Sequence, residues 1–304
     1  MHAPVLSPNP VDLWFWAARG AVFLASVLSN GVIIYLILTR AKLRTAPNAF
    51  ICSLSVADMV LTVLITPFEF LCFRAYPGLC DVWILKLFYD MAVNASVFNL
   101  CALTLDRYLA AVSPLNYMSA MTSQKIKWII SFTWIAAILT PLPYFLLVKE
   151  GYLSASRYTQ IIYLVVCELA PSVLLMAGYL RMVYIVNSKT KFARTQLAQV
   201  NFNYGDKMTV IRGKRKVWNV HFVGVLVVIF NICFFLSIYK GVVNYILFEF
   251  VSKEVVGASR ILYHLNSAAN GAVYPVMKND FKHEIRLLWR RTRGGIHPVC
   301  VDRH

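Results

Sequence analysis

Apolar residues fall into seven long blocks, at residues 11–38, 49–73, 82–112, 128–148, 158–186, 217–248 and 255–277. About 20 apolar residues suffice for a helix to cross bilayer hydrocarbon, so each block predicts a membrane-spanning helix. The pattern predicts an all-α membrane protein with a seven-transmembrane helix bundle over residues 11–277. Residues 1–10 are expected to form a short extracellular N-terminus, and residues 278–304 an amphipathic eighth helix and cytoplasmic tail. The fourth and seventh blocks are only just long enough. The seventh also carries Arg260 and His264, which must face protein or an aqueous cavity rather than lipid. No basic n-region or small-residue cleavage site precedes the first block, which is expected to be a retained span.

Basic residues set the orientation. Placing alternate connections on one side gathers 21 of the 30 Lys and Arg residues there, with the C-terminal segment, against 8 on the other side; Arg107 completes the set. Lys and Arg mark the cytoplasmic face, so the N-terminus is expected outside and the C-terminus inside, as in a multi-pass plasma-membrane protein. Residues 187–216 are polar and end in Arg212-Gly213-Lys214-Arg215-Lys216, suited to a solvated anchor on anionic lipid. After Met277, Phe281, Ile285, Leu288 and Trp289 share one helical face while Lys282, Arg286 and Arg290 fall elsewhere. This is the pattern of a helix lying on the inner leaflet.

Composition excludes several classes. With 59% hydrophobic and 14% charged residues the chain has no room for a separate soluble catalytic module, so no enzyme is expected. The net charge of +16 is divided among loops rather than gathered on one basic surface with interleaved aromatics, so membrane lipids, not nucleic acid, are the expected partner. The seven cysteines show no CxxC spacing, and Cys52, Cys101, Cys167 and Cys233 lie within apolar runs as small buried residues. Cys72 and Cys80 flank FRAYPGL on the oxidising side and either bridge that loop or stay as two free thiols. The Asn94-Ala95-Ser96 sequon lies inside a block, where glycosylation is not expected. No inverted repeat, paired broken helices or ring of pore-lining charge supports a transporter or channel.

The chemistry gathers at the inner end of the third block. Ser96-Val97-Phe98-Asn99-Leu100-Cys101 leads into Asp106-Arg107-Tyr108, then Leu109, Ala111-Val112 and Pro114-Leu115-x-Tyr117. An acid and a guanidinium at the end of a membrane-length segment belong at the water boundary. Asn30, Leu54-Ser55-Val56-Ala57-Asp58, Trp134, Pro171, Tyr179, Phe230 with Cys233, and Asn266-Ser267-x-x-Asn270-x-x-x-Tyr274 follow in order along the other blocks. In this order across residues 30–281 the chain closely resembles the rhodopsin-like (class A) G-protein-coupled receptors.

That resemblance implies a receptor that binds an extracellular small-molecule or peptide ligand and activates a heterotrimeric G protein. The implied route is a rearrangement of the inner ends of spans 3, 5, 6 and 7. Asp106, Arg107, Tyr108, Leu115, Tyr179 and Tyr274 would form the coupling switch, with an outward swing of the sixth span handing Arg107 to Tyr179 and Tyr274. Asn30, Asp58, Ser267 and Asn270 are polar at mid-membrane depth and must face one another or shared water. The family holds a sodium ion there, which makes Asp58 a sodium ligand; a hydrogen-bonded helix glue without an ion is the alternative. No other cofactor is implied.

Several positions depart from the family pattern. Phe234 stands where the toggle tryptophan is usual, Leu236 where a kinking proline is usual, and Gly271 replaces the seventh-span proline, so the sixth helix should bend less. Lys216 falls where many relatives carry an acid that locks the arginine, which predicts higher ligand-independent activity. The family's outer disulfide cannot form, since residues 144–160 contain no cysteine. These losses leave open a non-coupling binding or decoy protein of the same fold.

Ionisable and aromatic residues in the outer halves of the spans, Glu69, Tyr89, Asp90, Tyr163, Cys167, Glu168, Phe234, Lys240, Arg260 and His264, are the candidate ligand pocket. Tyr89 occupies the position of the amine-anchoring aspartate of monoamine-binding relatives. Asp90 comes one residue later, about 100° round the helix, so its carboxylate is expected to point elsewhere. His264 stands where opsins carry their retinal lysine. The short fourth-to-fifth connection without cysteine is similar to that of the melanocortin and lipid-mediator branches.

Overall fold

The computed structural model describes residues 13–76, 80–200 and 207–293. They form seven long helices and one short amphipathic one. Helix α1 spans Leu13–Thr39, α2 Ala46–Ala75, α3 Val82–Val112 and α4 Ser123–Lys149. Helix α5 runs from Leu153 to Val200, α6 from Lys207 to Leu247, α7 covers Lys253–Met277 and α8 Asn279–Arg293. A short helix, Pro114–Ala120, joins α3 to α4.

Local chemistry sets the boundaries. Asp81 caps α3, its carboxylate accepting from the backbone N–H groups of Trp83 and Ile84 at 2.9 and 3.3 Å. Thr122 and Ser252 cap α4 and α7 in the same way. Within α2 the turn Val60–Ile65 is wound as π-helix just before Pro67, and in α5 the turn Leu164–Leu169 is wound so just before Pro171. A proline has no N–H to offer the preceding turn, and a wider turn accommodates the lost bond. Helix α6 lacks such a proline, and its α-winding continues unbroken from Lys207 to Val242. Its one π turn lies at its outer end, Val243–Leu247.

Helix α3 is the axis of the bundle: 67% of its most apolar window is buried, against 17% for α4 on the outside. It packs on α2, α4, α5 and α6, while α7 packs on α1 and α6. Among the described residues, six helices are long and apolar enough to cross a membrane unaided, and α7 is not among them. The reason lies in its polar side chains. Arg260, His264, Asn266, Ser267 and Asn270 are all buried, so they face protein rather than lipid. Phe281 anchors α8 beneath Tyr274, with Ile285 and Leu288 against the same core, whereas Trp289 is left 56% exposed.

Candidate ligand cavity and coupling site

At the inner end of α3, Asp106 is fully buried and held from two sides. Its Oδ2 faces the Arg107 guanidinium at 2.6 Å, and its Oδ1 accepts the Tyr117 hydroxyl at 2.5 Å. Burial and the bond to Asp106 raise the Tyr117 phenol well above its ordinary value. Lys189 of α5 donates to the carbonyls of Ala111 and Val112 at 3.2 and 2.7 Å, satisfying the last turn of α3. Tyr108 packs on the inner core. Tyr179 presses its ring on α6 at Gly224, where an added Cβ would collide with the ring. Tyr274 is fully buried between Phe222 and Phe281, with ring centroids 5.2 and 6.2 Å away, and its hydroxyl has no hydrogen-bond partner among the described residues. The structure therefore brings Asp106, Arg107 and Tyr117 together, and among the described residues no hydrogen bond joins them to Tyr274. The side chains of Leu115 and Lys216 lie outside the described residues.

Deeper in the bundle, Asp58 accepts from Ser96 at 2.7 Å and from Asn270 at 3.1 Å, joining α2, α3 and α7. Asn30 does not bond Asp58. It donates instead to the carbonyls of Ser26 and Ser267, at 3.1 and 3.0 Å, tying α1 to α7. Asn30 Oδ1 and Asn270 Oδ1 are buried without partners among the described residues. One carboxylate with unpartnered neutral oxygens is the donor set a small hard cation takes, so these residues fit the expected ion.

The outer half holds a cavity of about 350 Å³ between α3, α5, α6 and α7. Of the expected pocket residues, Tyr89, Asp90, Tyr163, Glu168, Lys240 and Arg260 line it. Asp90 corrects its expected direction: it does face the cavity, but Lys86 one turn earlier pairs with it. Tyr163 donates to Asn94 at 3.0 Å, which buries the sequon asparagine. The Tyr263 hydroxyl bridges Ser237 and Glu168, lying 3.2 Å from Oε1 of the latter.

Four expected pocket residues do not line the cavity. Phe234 instead packs its ring against Phe230 at a 30° tilt and edge-on against Tyr263, with centroids 4.1 and 4.7 Å away. Cys167 is buried within the π turn of α5. Glu69 and His264 belong to a separate cluster between α1, α2 and α7, organised by Arg19, which is buried. Arg19 pairs with Glu69 and donates to His264 Nδ1 at 2.6 Å, while Arg260 approaches Glu69 at 3.5 Å from the cavity side. Above this cluster Cys72 and Cys80 form a disulfide, and Asp81 pairs with Lys149 across the mouth. That bond with Lys149 holds the Asp81 carboxyl below its ordinary value.

Comparison with known proteins identifies this arrangement. The family model for the seven-transmembrane receptors (rhodopsin family) matches residues 29–274. The chain belongs to that family. It is accordingly a multi-pass membrane receptor protein and not an enzyme. The receptor is similar to a probable G-protein coupled receptor No9 of Amphibalanus amphitrite, at 32% identity over 47% of this chain and 35% of that protein. It is similar to a cholecystokinin receptor of Xenopus laevis, at 30% over 45% and 32%. A QRFP-like peptide receptor of Branchiostoma floridae aligns over 99% of this chain and 83% of its own length at 22% identity. The matches to the first two span only about a third of those relatives' length.

Some of the receptor's buried contacts are invisible in the sequence. Arg19 carries a signal, an arginine inside an apolar run, but nothing in the spacing pairs it with Glu69. Lys86 and Asp90 stand one helical turn apart, a spacing that does signal their pairing. Trp134 donates to Ser53 at 3.0 Å and Ser53 to Asn99 at 2.6 Å, a polar bridge joining α2, α3 and α4 that only their proximity in space reveals.

Proposed function

We propose that this chain is a plasma-membrane receptor, N-terminus outside, that binds an extracellular ligand in the outer cavity and activates a heterotrimeric G protein. The observation that carries this reading is the state of Arg107. Its guanidinium is tied to Asp106, while Tyr274, on a helix that reaches the same inner end, keeps a buried hydroxyl without a partner among the described residues. A buried unpartnered hydroxyl favours any rearrangement that supplies it with one. Displacement of α6 and α7 would give Arg107 the partners Tyr179 and Tyr274, and a ligand shifts that equilibrium by binding the displaced arrangement more tightly. Leu115, beside this site on the short helix, would meet the G protein.

Asp58 with Asn30, Ser267 and Asn270 would hold a sodium ion that favours the resting arrangement. The basic inner surface and α8 would rest on anionic lipid. The relatives also include an octopamine receptor of Lymnaea stagnalis, 34% identical over 40% of this chain and 20% of that protein, beside the QRFP-like peptide receptor, so the ligand is taken as a small molecule or peptide. The unbroken winding of α6 also supports the non-coupling reading of the same fold.

Nucleotide exchange on G protein in membranes carrying the receptor separates the two. Arg107→Ala is expected to abolish basal and ligand-stimulated exchange, and exchange unchanged by it would refute the coupling mechanism. With Lys216 in place of a locking acid, basal exchange is expected to be high and to fall in Lys216→Glu.

A further inference from the structure

The outer end of α6 stops on a residue that its backbone does not favour. The π turn Val243–Leu247 is closed by Phe248, whose φ of 60° and ψ of 27° are left-handed. Phe248 and Glu249 both donate their backbone N–H groups to the Val243 carbonyl, the second at 3.1 Å. Glycine takes such a cap without strain, whereas a bulky side chain is an outlier there. Among the described residues no other non-glycine residue has a positive φ. Burial does not offset the strain, because Phe248 is 61% exposed.

The ring of Phe248 instead meets Arg157 of α5, whose guanidinium carbon lies 4.6 Å from the ring centroid. Both residues line the rim of the outer cavity. About two helical turns deeper on each helix, α5 and α6 already touch: a Cβ at Gly241 would lie 2.5 Å from Cδ1 of Leu164, and both of these residues line the cavity too. The contact at Gly241 closes the α5–α6 wall at depth, and Phe248 against Arg157 closes it at the rim. There the left-handed backbone costs about as much as the cation over the ring contributes, so the closed arrangement is only slightly favoured. Strained residues of this kind cluster at clamps and switches.

We propose that Phe248 is a gate at the mouth of the cavity, latched by Arg157, and that a ligand enters from the extracellular side once the ring swings off the guanidinium. This rests on the reading of the cavity as the ligand site, and it names the contact that controls entry.

The test is the accessibility of a thiol placed inside the cavity. Ser237 lines it and is buried, and Ser237→Cys puts the thiol there. Its reaction with 2-sulfonatoethyl methanethiosulfonate is followed on the detergent-purified full chain, with the chain lacking that substitution as the blank. In this background Arg157→Gln is expected to speed the reaction by about two- to fivefold, the size of one exposed cation–π contact. The reagent is an anion, so loss of the Arg157 charge alone would slow its approach, and a faster rate reports opening. Phe248→Gly removes ring and strain together, and is expected to speed the reaction at least as much with an unfolding midpoint unchanged or higher. Arg157→Lys keeps a cation for the ring and should stay slow. The proposal is overturned if Arg157→Gln or Phe248→Gly leaves the rate unchanged, if Arg157→Lys is as fast as Arg157→Gln, or if Phe248→Gly is faster only with a lowered midpoint, the mark of general loosening. Should Ser237→Cys not fold, Asn244→Cys on the same cavity wall carries the comparison. Labelling is read without ligand or G protein, so a receptor whose exchange depends on Arg107 but whose labelling ignores Arg157 and Phe248 refutes this inference alone.

Discussion

Tyr117 donates its hydroxyl to Asp106 at 2.5 Å, closing the helix Pro114–Ala120 onto the inner end of α3. In Tyr117→Phe the buried Oδ1 of Asp106 loses its donor, and stability is expected to fall by about 1–3 kcal/mol. Both carboxylate oxygens then become available to Arg107, which is held more firmly, so basal nucleotide exchange should fall as well. A raised phenol value stabilises the fold fully below the unfolded value of about 10 and loses that contribution only as pH rises through the folded one. The difference between receptor and variant should therefore be constant from about pH 6 to pH 9, and a difference that varies over that interval would show that the phenol is not the neutral donor described.

Gly271 stands where a proline is usual in the family, and α1 explains why. A Cβ there would lie 2.5 Å from Ser29 Oγ and 2.9 Å from the backbone nitrogen of Asn30. Any residue with a Cβ, proline included, pushes α7 away from α1 and disturbs the Asn30 bond to Ser267. Gly271→Ala is expected to destabilise the receptor by about 1–3 kcal/mol through overpacking. Gly31, next to Asn30 on α1, has open space within 4 Å of the place a Cβ would take, and Gly31→Ala should be neutral or stabilise by up to about 1 kcal/mol. Equal midpoints for the two alanine variants would disprove the close approach of α1 and α7.

How much of this is legible in the sequence depends on whether depth or facing is in question. The third span is legible at both its ends, residues 82 and 112, because Asp81 caps one and Pro114 follows the other. The apolar pattern ends α5 at residue 186 and begins α6 at residue 217, short of their true inner ends, because both helices continue into polar sequence. Glu69 and Glu168 both reveal by composition that they lie in the outer halves of spans. Only the rotation of α2 and α5, altered by the π turns beside Pro67 and Pro171, sends one to the Arg19 cluster and the other to the cavity. The direction of Asp90 is hidden for a related reason. A step of 100° leaves the family's amine position but not the wide cavity wall.

The Cys72–Cys80 disulfide closes a loop with a sequence separation of 8 residues between the outer end of α2 and the start of α3. A loop this short restrains the unfolded chain modestly, and Cys80→Ser is expected to cost about 2–3 kcal/mol. The bond also positions Asp81, which caps α3 and pairs with Lys149. Reductant should lower the midpoint of the receptor and leave that of Cys80→Ser unchanged. A receptor indifferent to reductant would show that these two thiols are free.

Lys278 links α7 to α2, its ammonium donating to Asn48 at 2.8 Å while lying 5.4 Å from the Phe281 ring. Burial, assisted by the positive charge of Arg107, lowers this amine to about 8. A base lowered by folding destabilises the fold while charged. Its stabilising contribution is complete above the unfolded value of 10.5 and is lost as pH falls through about 8. At neutral pH the receptor therefore retains a half-buried charge that it would hold more stably without. Lys278→Gln keeps a donor for Asn48 and removes the charge, so its midpoint should exceed that of the receptor at pH 7, and the advantage should shrink as pH rises from about 8 toward 10.5. A variant less stable than the receptor at pH 7, or an advantage that grows with pH, would place the ammonium in water rather than between α2, α7 and α8.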